Sequence, residues 1–261
     1  MKKLLPYASK TPDACGFYDY DEQERGVWSD LFQRQISFLK DRAAPQFFDG
    51  IHALGLNHAE IPQIATIDAK LAAMTGAGVQ GVPAIIPPKQ FFSLLAQRKF
   101  PVATFLRCRA DIDYIEEPDL FHEVFGHCPL LTNAPYCDFI ERFGKISLSL
   151  PKGTSWHVFR LFWFTIEFGM IRTPQGVRAF GAGIVSSPSE ARFATGGKAE
   201  LVPFDLMTAL RTPYRIDIVQ PLYFVIDSFE QLVDLLDQDL GAAIAAAQDL
   251  GDLPARFQSA A

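Results

Sequence analysis

The segment 121–128, FHEVFGHC, places His127 five positions after His122. Histidines four positions apart share one face of a regular α-helix and can bind a single metal ion, as in the pattern H-E-x-x-H. Residues five positions apart are rotated by roughly 140° around the helix axis and point in different directions. Both side chains can therefore reach one ion only if the helix ends or bulges between them. Gly126 tolerates the backbone angles of such a distortion, and Pro129 disfavours regular continuation.

The composition is that of an ordinary globular protein. Of the 261 residues, 49% are hydrophobic and 21% are charged, which is sufficient for a sizeable core. The formal net charge is -6, and acidic and basic residues are interspersed without a long basic block. We therefore expect no nucleic-acid partner.

The cysteines and the apolar runs predict a cytoplasmic protein. The four cysteines form no C-x-x-C pair, which favours reduced thiols in a cytosol. The apolar run at the N-terminus is broken by Pro6 and is too short for a signal peptide. The most apolar stretch, RLFWFTIEFGMI at 160–171, is interrupted by Glu167, so we expect no membrane partner and no membrane span.

Helical patterns dominate and predict one mainly α domain over residues 1–261, with a few short strands. Residues 1–20 and 252–261 are expected to be loose. Capping boxes are predicted at Asp21–Glu24 and Ser187–Glu190, and an N-cap at Thr66. The predicted helices cover 21–39, 44–55, 66–76, 88–98, 118–126, 133–144, 154–170, 202–210 and 228–251. Extended segments are predicted at 100–107, 176–187 and 216–226.

Glu167 lies within an otherwise apolar helical pattern and points to a metal site. An unpaired buried carboxylate is energetically costly, so Glu167 must be protonated, paired with Arg160 or Arg172, or bound to a metal. Taken alone, the two histidines are equally well explained as ordinary core or surface residues. Together, two histidines and one carboxylate favour the facial triad of non-haem iron(II) oxygenases, which leaves open positions for water, oxygen and substrate.

Three further polar residues could serve such a site. Glu123 points elsewhere on the helix than its neighbour His122, so it could bond a cofactor or a metal-bound water, or lie in solvent. Arg107 could bind a substrate carboxylate while Asp119 holds its guanidinium, or the two could form a plain surface pair. The chain has 23 phenylalanines, and those near the motifs predict an aromatic-lined pocket.

Four motifs in register resemble the pterin-dependent aromatic amino acid hydroxylases, and the similarity is closest to bacterial members that act on phenylalanine. The motifs are EEPDLFHEVFGHCPLL at 116–131, FWFTIEFG at 162–169, GAGIVSS at 181–187 and QPLYFV at 220–225. The resemblance implies a single-domain helical basket with a catalytic iron(II) held by His122, His127 and Glu167. It also implies a tetrahydropterin cofactor such as tetrahydrobiopterin, with O2 as co-substrate. The implied reaction hydroxylates L-phenylalanine to L-tyrosine.

The resemblance further implies roles for residues at the matching motif positions. The pterin pocket would contain Phe91, Glu123, Ile85 and Ile86. Arg107, steadied by Asp119, would bind the amino acid carboxylate, with Ser186 nearby. The pocket for the aromatic ring would be shaped by Pro118, Trp163, Phe168 and Gly183.

The sequence departs from the animal members of this family in two ways. It has no room for their regulatory domain or their tetramerising helix, so we expect a single catalytic domain that acts as a monomer. Ile115 stands where animal enzymes have a threonine, which could alter carboxylate binding. Ile216 stands where tyrosine-specific members place an aspartate, which favours phenylalanine as substrate and leaves tryptophan or tyrosine as alternatives.

Two hypotheses from other classes stand beside this one. A zinc hydrolase could use the same three ligands with Glu123 as its general base. A non-catalytic helical binding module would bind no metal tightly. The metal that supports activity, and the dependence of activity on oxygen, distinguish the three.

Overall fold

Eleven α-helices and six short strands account for most of residues 7–151 and 153–257, the residues that the computed structural model describes. The α-helices are α1 Glu22–Leu39, α2 Pro45–Leu54, α3 Ile64–Thr75, α4 Pro88–Ala96, α5 Ala134–Ser149, α6 Ser155–Phe162, α7 Ala182–Val185, α8 Pro188–Ala194, α9 Leu206–Arg211, α10 Phe229–Leu235 and α11 Leu240–Leu250. The strands are β1 Gly78–Val82, β2 Lys99–Ala103, β3 Met170–Thr173, β4 Gly176–Ala179, β5 Glu200–Pro203 and β6 Leu222–Ile226. Within the described ranges, no helix is both long enough and apolar enough to cross a membrane.

Two segments adopt π-helical geometry, in which each hydrogen bond spans five residues instead of four. The first is His122–His127 and follows a short α-helical start at Leu120, so the predicted beginning at Pro118 is wrong by two residues. The second, Trp163–Glu167, continues directly from α6. A 3-10 turn, Cys128–Thr132, follows the first π-helix and contains Pro129, which cannot donate a helical hydrogen bond.

The predicted helix starts agree with the observed ones where a side chain accepts a hydrogen bond from the first turn. Asp21 and Glu24 form the predicted capping box of α1, and Pro45 opens α2. The predicted N-cap at Thr66 is wrong, because extended Gln63 caps α3 and Thr66 already lies inside the helix. Ser187 caps α8 as predicted.

Three further predicted boundaries are wrong. Gly144 lies inside α5 instead of ending it, since a Cβ there would come within 2.4 Å of the backbone nitrogen of Ala96. The glycine thus permits close packing of α5 on α4. The predicted final helix is two helices, because Asp239 caps α11 through Ala242 N. Residues 176–187 were predicted to be extended. This is correct for β4 but wrong for Ala182–Val185, which form the short helix α7.

The strands form two small sheets. A mixed sheet has the order β4-β3-β6-β5, with β3 antiparallel to β4 and parallel to β6, and with β5 parallel to β6. β1 and β2 pair in parallel. Strand β3 starts three residues after the second π-helix, so the mixed sheet holds the C-terminal side of that helix.

Buried aromatic rings support the first π-helix from α1 and α2. Phe121 and Phe125 stack on each other with ring centroids 4.7 Å apart. Trp28 contacts Phe121 edge-on at 5.5 Å, and Phe47 contacts Phe125 at 5.5 Å. Edge-to-face contacts of this kind stabilise a core beyond the area they bury.

The ends of the described chain make specific contacts. Lys10 exchanges two hydrogen bonds between its backbone and the hydroxyl of Thr104. The carboxylate of Asp252 accepts two hydrogen bonds from the buried guanidinium of Arg160, at 2.6 and 2.7 Å. Residues 1–6 and 258–261 lie outside the described residues, and the mobility of both end segments stays a prediction.

Replacement of Gly50 by alanine should destabilise the fold. A Cβ at Gly50 in α2 would lie 2.0 Å from the carbonyl oxygen of Pro129, so α2 and the 3-10 turn would have to separate. We expect the free energy of unfolding to fall by about 2 kcal/mol, as for other overpacked sites. The measurement is thermal and denaturant unfolding of G50A.

The matched control is Gly26→Ala in the middle of α1. There the nearest atom to an added Cβ is the end of the flexible Arg109 side chain, at 3.2 Å. Alanine favours a helix interior over glycine, so G26A should be neutral or stabilising. Equal unfolding midpoints for G50A and wild type would contradict the close approach.

Candidate metal centre

The first π-helix brings His122 and His127 onto one face. Cys128 N donates to Glu123 O, a hydrogen bond that spans five residues and widens the turn. The Nε2 atoms of His122 and His127 are consequently 3.3 Å apart. The predicted distortion between the histidines is confirmed, and it extends over the whole segment instead of being a break at Gly126.

The second π-helix delivers Glu167 to the same point. Phe168 N donates to Trp163 O at 2.8 Å, again across five residues. The Oε1 atom of Glu167 lies 3.1 Å from His127 Nε2, and its Oε2 atom lies 3.6 Å from His122 Nε2. The two π-helices therefore direct three donor groups at one small volume.

The arginine alternative for Glu167 is excluded by the partners that the arginines have. Arg160 forms its ion pair with Asp252, and Arg172 forms its ion pair with Asp227. Among the described residues, Glu167 forms its ion pairs with His122 and His127 and with neither arginine.

The three donors have the spacing that a divalent metal ion requires. Metal bonds to histidine nitrogen and carboxylate oxygen of about 2.0–2.2 Å place neighbouring ligand atoms roughly 3 Å apart. The hydroxyl of Ser186 donates to Ala182 O at 2.7 Å, so at 2.9 Å from His122 Nδ1 it can accept from that nitrogen. This bond places the ring proton of His122 on Nδ1 and leaves the Nε2 lone pair for a metal. The residues thus fit an iron(II) ion.

Glu123 is the competing carboxylate. His122, Glu123 and His127 also offer ligand atoms within 4.8 Å of one another, and Glu123 Oε2 lies 3.8 Å from His127 Nε2. Glu167 is closer to both histidines, and we favour it on that geometry.

The charges of the two carboxylates support the same choice. Burial raises the pKa of Glu167, but the two histidines outweigh burial and hold the pKa of that carboxyl well below its usual range. For Glu123, burial together with the charges of Glu167 and Asp119 raises the pKa to about 8. Glu167 is therefore more readily ionised than Glu123, as the anionic ligand of a metal must be. Glu123 Oε2 is buried without a hydrogen-bond partner among the described residues.

The two imidazoles sit in different electrostatic surroundings. Burial lowers the pKa of His122, but Glu167 and Glu123 outweigh burial and raise it to about 9. Burial lowers the pKa of His127. A positive charge is thus favoured at His122 and disfavoured at His127, which leaves His127 neutral as a metal-binding imidazole must be.

Arg107 and Asp119 form a buried bidentate ion pair beside the histidines. Arg107 Nε and Nη2 donate to the two carboxylate oxygens of Asp119, each at 2.8 Å. Asp119 Oδ1 also accepts from His122 N at 3.0 Å. A single carboxylate therefore fixes both the guanidinium and the backbone of a candidate metal ligand, and the surface-pair alternative is wrong.

A cavity of about 560 Å³ opens onto these groups. Nine predicted site residues line it: Ile85, Arg107, Pro118, His122, Trp163, Glu167, Phe168, Gly183 and Ser186. Gly183 leaves room for an aromatic wall, since a Cβ there would lie 2.6 Å from the ring of Phe168.

Five predicted site residues lie outside this lining. His127, Asp119 and Glu123 are buried beneath it. Phe91 contacts the ring of Phe162, a lining residue, edge-on at 5.2 Å. Ile86 is partly exposed in the loop between β1 and α4.

The sequence did not reveal the contribution of the loop 214–219. Of its residues, Tyr214, Ile216, Asp217, Ile218 and Val219 line the cavity. Only Ile216 was singled out from sequence. Tyr214 stacks on Trp163 with ring centroids 4.5 Å apart. No periodic pattern marks this loop. The aromatic Tyr214 between Pro213 and Pro221 is the one sequence feature that indicates an ordered loop here.

Comparisons with known proteins agree with the fold and identify the family. The family of biopterin-dependent aromatic amino acid hydroxylases matches residues 5–241. The phenylalanine-4-hydroxylase of Pseudomonas aeruginosa is 45% identical over 249 residues, which cover 95% of each chain.

Solved structures of phenylalanine hydroxylases have the same fold as this chain. Phenylalanine hydroxylase from Legionella pneumophila has a TM-score of 0.93 and 44% identity, and the match covers 96% of this chain and 100% of that one. The enzyme of Chromobacterium violaceum with bound oxidized Fe(III) has a TM-score of 0.90 and 38% identity, over 96% of this chain and 91% of that one. The predicted mainly helical basket is thereby confirmed, and the chain belongs to the family of biopterin-dependent aromatic amino acid hydroxylases.

Proposed function

We propose that this protein is a phenylalanine 4-monooxygenase. It converts L-phenylalanine, O2 and a tetrahydropterin such as tetrahydrobiopterin into L-tyrosine and a hydroxylated pterin. The observation that carries this proposal is the convergence of His122, His127 and Glu167 beside a cavity that also exposes Arg107. Its relatives in Pseudomonas aeruginosa and Vibrio cholerae are phenylalanine-4-hydroxylases.

Iron(II) would be held by His122, His127 and Glu167. When bound, it organises and activates O2 for ring hydroxylation, with two electrons supplied by the tetrahydropterin. These three residues would supply three ligands, and the remaining coordination positions would be available to water, oxygen and substrate. Ser186 keeps the His122 ring in the tautomer whose Nε2 can bind.

Arg107 would bind the carboxylate of the amino acid. Asp119 accepts hydrogen bonds from Nε and from one proton of Nη2 of Arg107. The second proton on Nη2 and both protons on Nη1 can therefore be donated to a ligand. Because Arg107 is buried, a charge-assisted hydrogen bond to it gains strength from the low local dielectric. The same Asp119 fixes the distance between this anchor and His122.

The aromatic ring would lie between Trp163, Phe168, Pro118 and Gly183, all in the cavity lining. Trp163 and Phe168 contact each other with centroids 4.4 Å apart, so they form one continuous apolar wall. Such a wall excludes water from the ring. Ile216 at the cavity offers no polar partner for a ring hydroxyl, which favours phenylalanine over tyrosine.

The pterin would bind near Phe91, Ile85, Ile86 and Glu123. Phe91 belongs to an aromatic cluster with Phe162 that borders the cavity. The buried and unpartnered Glu123 Oε2 can accept a hydrogen bond from a pterin N–H, which would satisfy an otherwise costly polar atom.

The assignment of the carboxylate ligand predicts opposite results for two matched variants. Glu167→Gln should weaken iron(II) binding by about 100-fold, because it removes the anionic ligand. Glu123→Gln should retain iron(II) within about tenfold of wild type, as expected for a residue outside the ligand set. Anaerobic iron(II) titration and metal analysis of the purified proteins measure this. The reverse pattern would make Glu123 the ligand.

The function itself predicts oxygen-coupled turnover after anaerobic reconstitution with iron(II). The value of kcat/KM for phenylalanine should exceed those for tryptophan and tyrosine by about tenfold or more. Product formation and oxygen consumption are measured with tetrahydrobiopterin present. A preference for tryptophan or tyrosine would overturn the substrate. Zinc-supported, oxygen-independent hydrolysis of an amide would overturn the reaction class and favour the zinc hydrolase.

The assembly and location of the protein extend the proposal. We propose a single catalytic domain that acts as a monomer in the cytoplasm, in support of which all four cysteines are free thiols. Light scattering over a range of protein concentrations should give the mass of one chain. A tetramer that persists on dilution would contradict the monomer.

A further inference from the structure

Gln220, two residues before β6, joins two parts of the cavity wall through one amide group. Its Oε1 atom accepts a hydrogen bond from the indole Nε1 of Trp163 at 3.0 Å. Its Nε2 atom donates to the carbonyl oxygens of Arg215 at 2.8 Å and Ile218 at 2.9 Å. An amide oxygen only accepts and an amide nitrogen only donates, so this orientation of Gln220 is the one that satisfies all three partners.

The backbone of Gln220 is anchored to α8. Its N–H donates to Glu190 Oε1 at 2.9 Å, and the same oxygen accepts from the hydroxyl of Tyr223 at 2.6 Å. All three residues are buried. The capping box predicted at Ser187–Glu190 is therefore only half present. Ser187 caps the helix, but the Glu190 carboxylate accepts from Gln220 N and the Tyr223 hydroxyl instead of from the backbone of Ser187.

The packing of Tyr214 and the hydrogen bonds from Gln220 together hold the loop 214–219. Ile216 is 63% exposed and Val219 is 39% exposed, so neither is fixed by the core. Tyr214 is held by its stacking on Trp163, and both rings line the cavity. The bonds from Gln220 to the loop carbonyls therefore set how far the loop stands from Trp163.

We propose that Gln220 is a positioning residue that sets ring selectivity by tying the Trp163 indole and the loop 214–219 into one wall of the substrate cavity. Gln220 itself is 2% exposed and is not part of the cavity lining, so it acts through these groups and not by touching the substrate. This inference rests on the proposed hydroxylation of phenylalanine. It concerns the width of the ring pocket, on which the choice between a phenyl and an indole ring depends.

The test compares Gln220→Met with Gln63→Met. Methionine keeps the length of the side chain and removes the amide. Gln63 is a matched control, because its amide accepts from Tyr18 N and donates to Tyr18 O and lies outside the cavity lining. We expect Q220M to reduce the ratio of kcat/KM for phenylalanine to that for tryptophan by about tenfold, and Q63M to leave it unchanged.

Two measurements separate positioning from a merely structural role. Iron content and the KM for tetrahydropterin should stay within about twofold of wild type in Q220M. Amide hydrogen exchange of the peptide covering 214–219 should be faster in metal-free Q220M than in metal-free wild type, and unchanged in Q63M. Equal losses for both amino acids with an unchanged ratio would overturn the proposal.

A double-mutant cycle with Trp163→Phe tests the route of the effect. The phenyl ring has no N–H for Gln220, so the two substitutions should be non-additive in the selectivity ratio. Additive effects would overturn the coupling. If Q220M does not fold, Glu190→Gln, which neutralises the carboxylate that accepts from both Gln220 N and the Tyr223 hydroxyl, should produce a smaller change in the same direction.

The outcome for wild type distinguishes this inference from the proposed function. A wild-type enzyme that hydroxylates neither amino acid overturns both. A wild-type enzyme that hydroxylates phenylalanine, combined with a Q220M ratio equal to wild type, overturns only the role of Gln220.

Discussion

The widened backbone turn between His122 and His127 is the constraint on which the site depends. An α-helix would direct imidazoles five positions apart away from each other. The π-helical hydrogen bonds bring their Nε2 atoms to 3.3 Å, and a second π-helix brings Glu167 to the same place. Such irregular geometry persists only where surrounding structure imposes it. Here the stacked rings of Phe121 and Phe125, held by α1 and α2, provide that support.

The polar groups around the cavity are linked, so the distances between binding groups are fixed by shared atoms. Asp119 bonds both the guanidinium of Arg107 and the backbone of His122. Gln220 bonds both Trp163 and the loop that faces it. Each link is buried and satisfied, which makes it directional and costly to break. Buried hydrogen bonds therefore fix the Arg107 guanidinium relative to the backbone of His122, and the Trp163 ring relative to the loop 214–219.

The sequence predicted the chemistry of the site better than its local geometry. The motif order was sufficient for the helical fold, and the five-residue spacing with the isolated acid Glu167 was sufficient to predict three donor groups that the structure brings together. The sequence indicated a break at Gly126, because periodicity cannot distinguish a helix that ends from one that bulges. Gly144 was misinterpreted as a helix end for a related reason: its role is the close approach of α4, a tertiary contact. The loop 214–219 has no periodic pattern, and its position depends on Gln220, which follows it.

The ion pair between Arg160 and Asp252 has a consequence for biosynthesis. Arg160 lies on α6, which runs directly into the π-helix that carries Glu167. The buried guanidinium of Arg160 meets its carboxylate only after the ribosome has synthesised the chain as far as Asp252. The helix that leads into the Glu167 segment thus gains its full set of contacts late. The donor groups of His122, His127 and Glu167 therefore reach their final arrangement only after residue 252 has been synthesised, well after Glu167 itself.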